Sequence, residues 1–173
     1  MSELDPQAAQ PPQGPEAQNP VVRIRAQYIK DLSFENPGSA AVQVQPNIDL
    51  GIDVGATQYN GTDGLYEVSL RFSAEAKAGD KVLFILELDY AGIFQFETTD
   101  QMLAEQVLLI ECPRMLFPFA RRVVADISRD GGFPPLMIDP VDFVALYQQQ
   151  KARQGAQAGD IGNALAQGGP VGA

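Results

Sequence analysis

The sequence contains no histidine, and this absence removes several kinds of catalytic site at once. Ser-His-Asp and Cys-His catalysis, histidine metal ligands and the usual proton shuttle near neutral pH all need an imidazole. The chain also lacks a GxxxxGK[ST] phosphate loop, a GxGxxG turn after a strand and a CxxC pair. Acidic pairs are numerous, but none stands out as catalytic. We therefore predict that the protein is not an enzyme and has neither a cofactor nor a metal site, and an unrecognised carboxylate enzyme is the alternative.

Cysteine and long apolar segments are equally scarce. The single Cys112 excludes an internal disulfide, which fits a reducing cytoplasm, and it is interpreted as a small buried residue rather than a reactive thiol. No apolar run approaches the length of a membrane span. The N-terminus MSELDPQAAQ has no basic start and no apolar core, so it is not a secretory signal. We predict a cytoplasmic protein without membrane insertion.

Basic residues are few, because 12 Lys and Arg stand against 22 Asp and Glu, for a formal net charge of −10. Such a chain repels nucleic acid, whose phosphates are bound by clustered Lys and Arg. It attracts basic partners, although solubility alone also explains an acidic composition. We predict no nucleic-acid partner.

The composition divides the chain into three segments. Residues 1–20 are rich in Pro and Gln, and residues 151–173 are rich in Gly, Ala and Gln. Neither segment has enough apolar residues to build a core, so both are predicted to be disordered. Residues 21–150 remain as one folded domain.

Four stretches alternate apolar and polar residues with a period of two, at 22–35, 47–54, 66–75 and 82–90. Asn-Pro-Gly, Asn-Gly and Asp-Gly turns separate them. This pattern predicts a four-stranded antiparallel meander with one apolar face. In the first stretch the even-numbered residues form that face, with one lysine among them: Val22, Ile24, Ala26, Tyr28, Lys30, Leu32 and Phe34.

Helical periodicity follows the strands, so the predicted class is α+β. Thr98 and Gln101 form a predicted capping box at the start of a long helix. Pro113 and Pro118 interrupt the pattern, and a Gly-Gly pair ends it. A short C-terminal helix continues the apolar pattern as far as Tyr147. The long helix and the short one are predicted to cover the apolar face of the sheet.

The long helix is apolar on more than one side. Residues 107–110 are four consecutive apolar residues, whereas a helix on one sheet needs only one apolar stripe. A fully buried helix in a single domain is one explanation, and burial against another subunit is favoured. The predicted oligomer interface comprises Met102, Val107, Ile110 and Val124.

Two further surfaces could bind partners. By strand parity Asp31 and Glu35 share the polar face of the sheet, and Ile85 and Glu87 share it in the fourth strand. That face is either simply solvated or a dock for a basic, partly apolar partner. A second set could line a groove for extended apolar peptide, although pattern alone favours plain core. This set comprises Ile48, Leu50, Ile52, Phe133, Leu136, Ile138, Phe143 and Tyr147.

Five blocks in one order resemble the SecB family of bacterial protein-export chaperones. They are QYIKDLSFENP, YEVSLRF, GIF, CPRMLFPFAR and FPPLMIDPVDFVALYQQQ, and the resemblance covers roughly residues 22–150. The resemblance implies an α+β protomer assembled as a homotetramer, a dimer of dimers. It also implies an ATP-independent chaperone that holds unfolded preproteins in apolar grooves and delivers them to the export ATPase SecA.

The resemblance also implies roles for particular residues. In the family, acidic and apolar residues on the flat sheet face bind the zinc-containing C-terminal tail of SecA, and the matching positions here are Asp31, Glu35, Ile85 and Glu87. The zinc then belongs to the partner. Because similar folds serve toxin–antitoxin systems, a SecB-like chaperone for another client, such as a toxin, is the alternative function.

Overall fold

The computed structural model describes residues 20–38 and 46–166, with side chains described through residue 155. Four antiparallel strands are β1 (Arg23–Glu35), β2 (Asn47–Gln58), β3 (Leu65–Ala78) and β4 (Lys81–Gln95). The helices are α1 (Gln101–Gln106), α2 (Cys112–Asp130) and α3 (Phe143–Ala166), with a π-helical turn at Val107–Glu111 between the first two. The predicted α+β class is confirmed. The disorder predicted for residues 1–19 and 167–173 lies outside the described residues.

The order of the strands across the sheet is β1-β4-β3-β2. The predicted meander is right for β2, β3 and β4 and wrong for β1, which pairs with β4 instead of β2. The lengths of the connections between the strands explain the difference. A two-residue turn with Gly79 at positive φ joins β3 to β4, whereas residues 36–46 between β1 and β2 are too many for a tight hairpin. Period-two alternation shows which face is apolar but not which strand is the neighbour.

Strand β1 carries two register shifts, between Ile24 and Ala26 and between Ile29 and Asp31. Each extra residue reverses the side to which the following residues point. The predicted apolar face therefore holds for Leu32 and Phe34, which pack against the core. It is wrong for Tyr28 and Lys30, which lie on the polar face.

Tyr28 and Lys30 reach across β4 to one carboxylate of β3. The Tyr28 hydroxyl and the Lys30 ammonium both donate hydrogen bonds to Glu67. Burial, reinforced by the Glu67 hydrogen bond, raises the pKa of Tyr28 to about 12. Hydrogen bonds from Lys30 and then Tyr28 lower the pKa of Glu67 below its usual value. The lysine that breaks the alternation in the sequence thus has a polar partner at a bulge.

The long helix begins after Asp100 and not with the predicted capping box. One carboxylate oxygen of Asp100 accepts hydrogen bonds from the backbone N–H groups of Met102 and Leu103 at 2.9 and 3.2 Å. The Thr98 hydroxyl oxygen accepts from the Asp100 N–H at 3.2 Å. Asp100 is therefore the N-cap, because its short side chain stands directly before the first turn.

The prolines change the helix without ending it. Pro113 has no N–H, so the carbonyl four residues earlier loses its helical partner. The turn before Pro113 is π-helical, and the Cys112 N–H bonds to the Val107 carbonyl five residues back. Pro118 lies inside α2, which continues to Asp130 and ends at Gly131 as predicted.

Helix α2 packs closely on one face of the sheet. A Cβ atom at Gly92 of β4 would lie 2.8 Å from Leu116 Cδ2, so the glycine leaves room for Leu116 to approach the strand this closely. The rings of Phe117 and Phe72 lie 6.3 Å apart between their centroids. A Cβ atom at Gly131 would meet the Phe34 ring at 2.3 Å, so the end of α2 is equally close to β1.

Helix α3 starts on the same side of the sheet, packs against the π-helical turn and reaches β2 at Gln150. The Asp142 carboxylate accepts from the N–H groups of Val144 and Ala145 at 3.0 and 3.1 Å and caps the helix. Phe143 is buried, with its ring 6.0 Å from Phe117. The helix extends to Ala166, beyond residue 150 at which the domain is predicted to end.

The Glu67 cluster predicts how stability depends on pH. Because the folded-state pKa of Glu67 is below 4.5, its contribution is present above that pH and is lost as the pH falls through the folded value. We expect Glu67→Gln to flatten the fall in unfolding free energy between about pH 5 and pH 3, measured by denaturant titration. Glu97→Gln, which removes an exposed carboxylate, should keep the wild-type slope. Identical slopes for Glu67→Gln and wild type would contradict the assignment.

Candidate functional site

The face of the sheet opposite α2 carries the predicted acidic residues. In the strand register Glu35 lies opposite Ile85, and Asp31 lies opposite Asp89. Glu87 lies between these two rows, opposite serines on both sides. Asp31, Glu35 and Glu87 are exposed, and Ile85 is half-buried. The structure therefore brings all four predicted residues onto one face.

Small residues make a shallow trough across this face. Gly51 and Ser73 are opposite each other, and a Cβ atom at Gly51 would lie 2.5 Å from the Ser73 hydroxyl oxygen. Two clefts share Gly51, Ser73 and Glu87 as lining residues. Acidic side chains stand along both sides of the trough. The exposed backbone of small residues and the carboxylates around it are suited to a cationic extended segment.

One arginine lies among the acids at the centre of the face. Arg71 Nη1 is 3.1 Å from an Asp53 oxygen, and Arg71 Nε is 3.5 Å from an Asp89 oxygen. The other carboxylate oxygen of Asp89 is buried and has no partner among the described residues. Arg71 thus offsets part of the repulsion between the carboxylates, and the cleft stays acidic.

Helix α3 reaches the same face beyond Tyr147. Gln150 Nε2 donates to an Asp53 carboxylate oxygen at 2.7 Å, and Val54 O lies 3.5 Å from the same nitrogen. Lys151 forms an ion pair with Glu105 of α1 at 3.1 Å. Arg153 lines the cleft that contains Asp31 and Glu87. Sequence reasoning missed these contacts, because strand parity carries no information about a helix beyond the sheet edge.

The predicted groove residues divide into two groups. Phe133, Ile138 and Phe143 are buried in the core, with exposed fractions of 9%, 3% and 1%. These three are therefore core residues, as the sequence pattern alone favoured, and do not line a groove. The remaining five are half-buried and border the core along β2, the 133–140 loop and α3: Ile48, Leu50, Ile52, Leu136 and Tyr147.

The loop under this surface is held to α2 by a buried serine. The Ser128 hydroxyl donates to the Val124 carbonyl at 2.9 Å and accepts from the Leu136 N–H at 2.8 Å. The Phe133 N–H bonds to the Ser128 carbonyl at 3.1 Å. These bonds fix the position of Leu136 beside the half-buried residues of the groove.

The four residues predicted to form the oligomer interface differ in how exposed they are. Met102 is 68% exposed, whereas Val107 and Ile110 are only 5% and 8% exposed. Val107 and Ile110 line an open cleft together with Met115. Val124 has no exposed surface because it belongs to the protomer core, so its assignment to a subunit interface is corrected.

Helix α2 exposes another large apolar residue that sequence reasoning did not single out. Phe119 is 49% exposed and lies four residues after Met115, which is 37% exposed. Residues four apart share one side of a helix, so these two form an exposed apolar surface. The spacing of four residues between Met115 and Phe119 was the only sign in the sequence that they share a side of the helix.

Cys112 is buried, as predicted, and burial raises the pKa of its thiol to about 12. It is therefore uncharged and unreactive at neutral pH. Within the part of the chain that the structure describes, no cluster of three or more His, Cys, Asp or Glu side chains is arranged to hold a metal ion. No helix in residues 20–38 and 46–166 is both long and apolar enough to cross a membrane.

Residues 15–154 match the family described as preprotein translocase subunit SecB. The chain belongs to the SecB family. The match includes the whole sheet, α1 and α2, and the part of α3 that reaches the acidic face. The resemblance found in the sequence is therefore confirmed, and SecB proteins are chaperones of protein export.

Named relatives support the same function. The protein-export protein SecB of Hyphomonas neptunium is 61% identical over 158 residues, which are 90% of this chain and 95% of that protein. The SecB of Parvibaculum lavamentivorans is 52% identical over 76% of this chain and 79% of its own length. The SecB of Afipia carboxidovorans is 53% identical over 87% and 90%. This SecB family member is a protein-export chaperone.

A solved structure has the same fold. The Mycobacterium tuberculosis Rv1957 SecB-like chaperone, in complex with a ChAD peptide from the Rv1956 HigA1 antitoxin, superposes with a TM-score of 0.61. The alignment covers 69% of this chain and 90% of that one at 13% identity. At that identity the likeness concerns the fold alone.

Proposed function

We propose that this SecB holds unfolded preproteins along its half-buried apolar surface and passes them to SecA, which binds the acidic face. The observation that carries the proposal is the separation of the two surfaces. The apolar residues of β2 point to the α2 side of the sheet, and Asp31, Glu35 and Glu87 point to the other side. A client and an acceptor could then be bound at the same time.

The five half-buried residues support client binding. They border the core on β2, the 133–140 loop and α3, where each side chain keeps part of its apolar surface accessible. An unfolded segment gains free energy by covering that surface, and no particular side-chain sequence is required. Phe133, Ile138 and Phe143 belong to the core against which these residues pack.

The composition of the acidic face supports SecA binding. Three exposed carboxylates surround the half-buried Ile85, so a basic segment with an apolar residue would gain both charge pairing and burial. The zinc would belong to the SecA tail. The alternative, a toxin-related client, has weaker support because the antitoxin-peptide complex shares only 13% identity with this chain.

Exposed apolar residues on the long helix support a homotetramer built as a dimer of dimers. Met102, Met115 and Phe119 are exposed, although apolar side chains of this size are usually covered. A second subunit packed on α1 and α2 would cover them. We also propose that this chaperone is cytoplasmic, is not an enzyme and needs no cofactor.

Reversing one charge on the acidic face should weaken SecA binding. We expect Glu87→Lys to lower the affinity for the zinc-loaded C-terminal peptide of SecA by about tenfold or more, because attraction becomes repulsion. The measurement is calorimetric titration at low and high salt, and salt should weaken the wild-type affinity. Glu97→Lys, the same charge change at an exposed site beyond β4, is the matched control. Equal affinities for wild type and Glu87→Lys would refute the proposal that the acidic face binds SecA.

Polar replacements in the groove should weaken client capture. Leu50→Gln and Tyr147→Gln each remove apolar contact area from the client, so we expect about a tenfold weaker affinity for an unfolded preprotein. Fluorescence anisotropy with a labelled, denatured preprotein measures the affinity, and thermal unfolding checks the fold. Tyr59→Gln changes an exposed aromatic residue elsewhere and is the control. If the variants lose their cooperative thermal transition while the protein that remains folded binds normally, these residues are core and do not bind the client.

Charge introduced on the exposed helix surface should split the tetramer. Met102→Glu combined with Met115→Glu places unpaired charges in the proposed subunit contact without adding them to the protomer core. Sedimentation equilibrium at micromolar concentration should show a tetramer for wild type and dimers or monomers for the variant. Met137→Glu, at another exposed methionine, should remain tetrameric. A monomeric wild type would overturn the proposal.

A further inference from the structure

We infer that the segment Gln150–Arg153 of α3 occupies one end of the acidic face and competes there with an incoming cationic peptide. The inference rests on the proposed function for the identity of that peptide, the SecA tail. The segment belongs to the same chain and stands at the same cleft. Docking would therefore require this part of α3 to move aside.

The contact between α3 and the acidic face is specific. Gln150 donates to Asp53 at 2.7 Å, which is a normal hydrogen-bond distance to a carboxylate. Asp53 in turn holds Arg71 at 3.1 Å, so the amide of Gln150 joins the charged network at the centre of the face. A cationic group of a partner would be attracted to the same carboxylate.

Arg153 adds a positive charge at the acidic face, where a cationic partner would also bind. It lines one cleft with Asp31, Asp53, Glu87 and Asp89, and two of these four acids belong to the proposed dock. A basic side chain of a partner that entered this cleft would meet Arg153 there. The acidic face is partly neutralised by its own chain before any partner arrives.

The length of helix that can move is limited by its other contacts. Phe143 is buried against Phe117 and fixes the first turn of α3. Lys151 is paired with Glu105 of α1 at 3.1 Å through an exposed ion pair, which contributes little. Release can therefore begin near Gln150, while Phe143 stays in the core. Tyr147 lies between the two, so movement of α3 would reach the proposed client surface as well.

The substitution Gln150→Ala tests the competition without changing any charge. Gln149→Ala is the matched control, since it makes the same change at an exposed neighbouring position that has no hydrogen bond to Asp53. We expect Gln150→Ala to raise the affinity for the zinc-loaded C-terminal peptide of SecA by about threefold, because a competing hydrogen bond is lost. Hydrogen exchange of the amides of residues 150–155 should become faster in Gln150→Ala and stay unchanged in Gln149→Ala.

A second probe separates this inference from the proposed function. An octalysine peptide binds through charge alone, and it should show the same gain for Gln150→Ala at low salt. If the SecA peptide binds no variant while octalysine shows the gain, the SecA assignment fails and the competition stands. If Gln150→Ala and Gln149→Ala have equal octalysine affinities and equal exchange rates, the competition is refuted. Arg153→Ala, compared with the exposed Arg122→Ala, should repeat the gain with a larger amplitude.

Discussion

The close approach of α2 to β4 determines how the rest of the chain is arranged. Leu116 rests on the sheet at Gly92, where an added Cβ atom would lie 2.8 Å from Leu116 Cδ2 and could not be accommodated without a shift. At this distance Phe117 reaches both Phe72 of the sheet and Phe143 of α3. A single helix layer can therefore bury the central strands, and apolar side chains of the β2 edge remain only partly covered. The half-buried surface remains because α2 and the start of α3 leave the apolar side chains of β2 only partly covered.

The two faces of the sheet have opposite physical character because only one of them is packed. Carboxylates accumulate on the uncovered face, where water solvates them, and their mutual repulsion is moderated by Arg71 and by the α3 segment. Residual repulsion on a folded surface is a source of binding free energy for a cationic partner, since pairing relieves it. Specificity for such a partner would come from the half-buried Ile85, which adds an apolar contact that salt does not screen.

Much of this arrangement could be predicted from the sequence, and the failures have identifiable causes. Alternation in β2, β3 and β4 located the core face. Together with the last residues of β1, from Asp31 onward, it placed Asp31, Glu35, Ile85 and Glu87 on one face. Earlier in β1 the alternation is displaced between two register shifts, and the visible trace of the second in the sequence is Lys30 on an apolar side. Neighbour order and the Gln150–Asp53 contact depend on tertiary packing between distant segments. Period-two and period-3.6 patterns are local and contain no such information. Val124 was placed in an interface because helical pattern cannot separate a core residue from an intersubunit one.

The strand order has a consequence for synthesis on the ribosome. Strands β2, β3 and β4 are neighbours in the chain and can pair as soon as each is made, whereas β1 is made first and its partner strand ends only at Gln95. After β1 is complete, about sixty further residues must emerge before all of β4 is available to pair with it. Synthesis proceeds at roughly 5–20 residues per second. Contacts that are distant in sequence form slowly because a long loop has to close. Arginines and lysine along β1 would keep this waiting strand hydrated and discourage its pairing with other nascent chains.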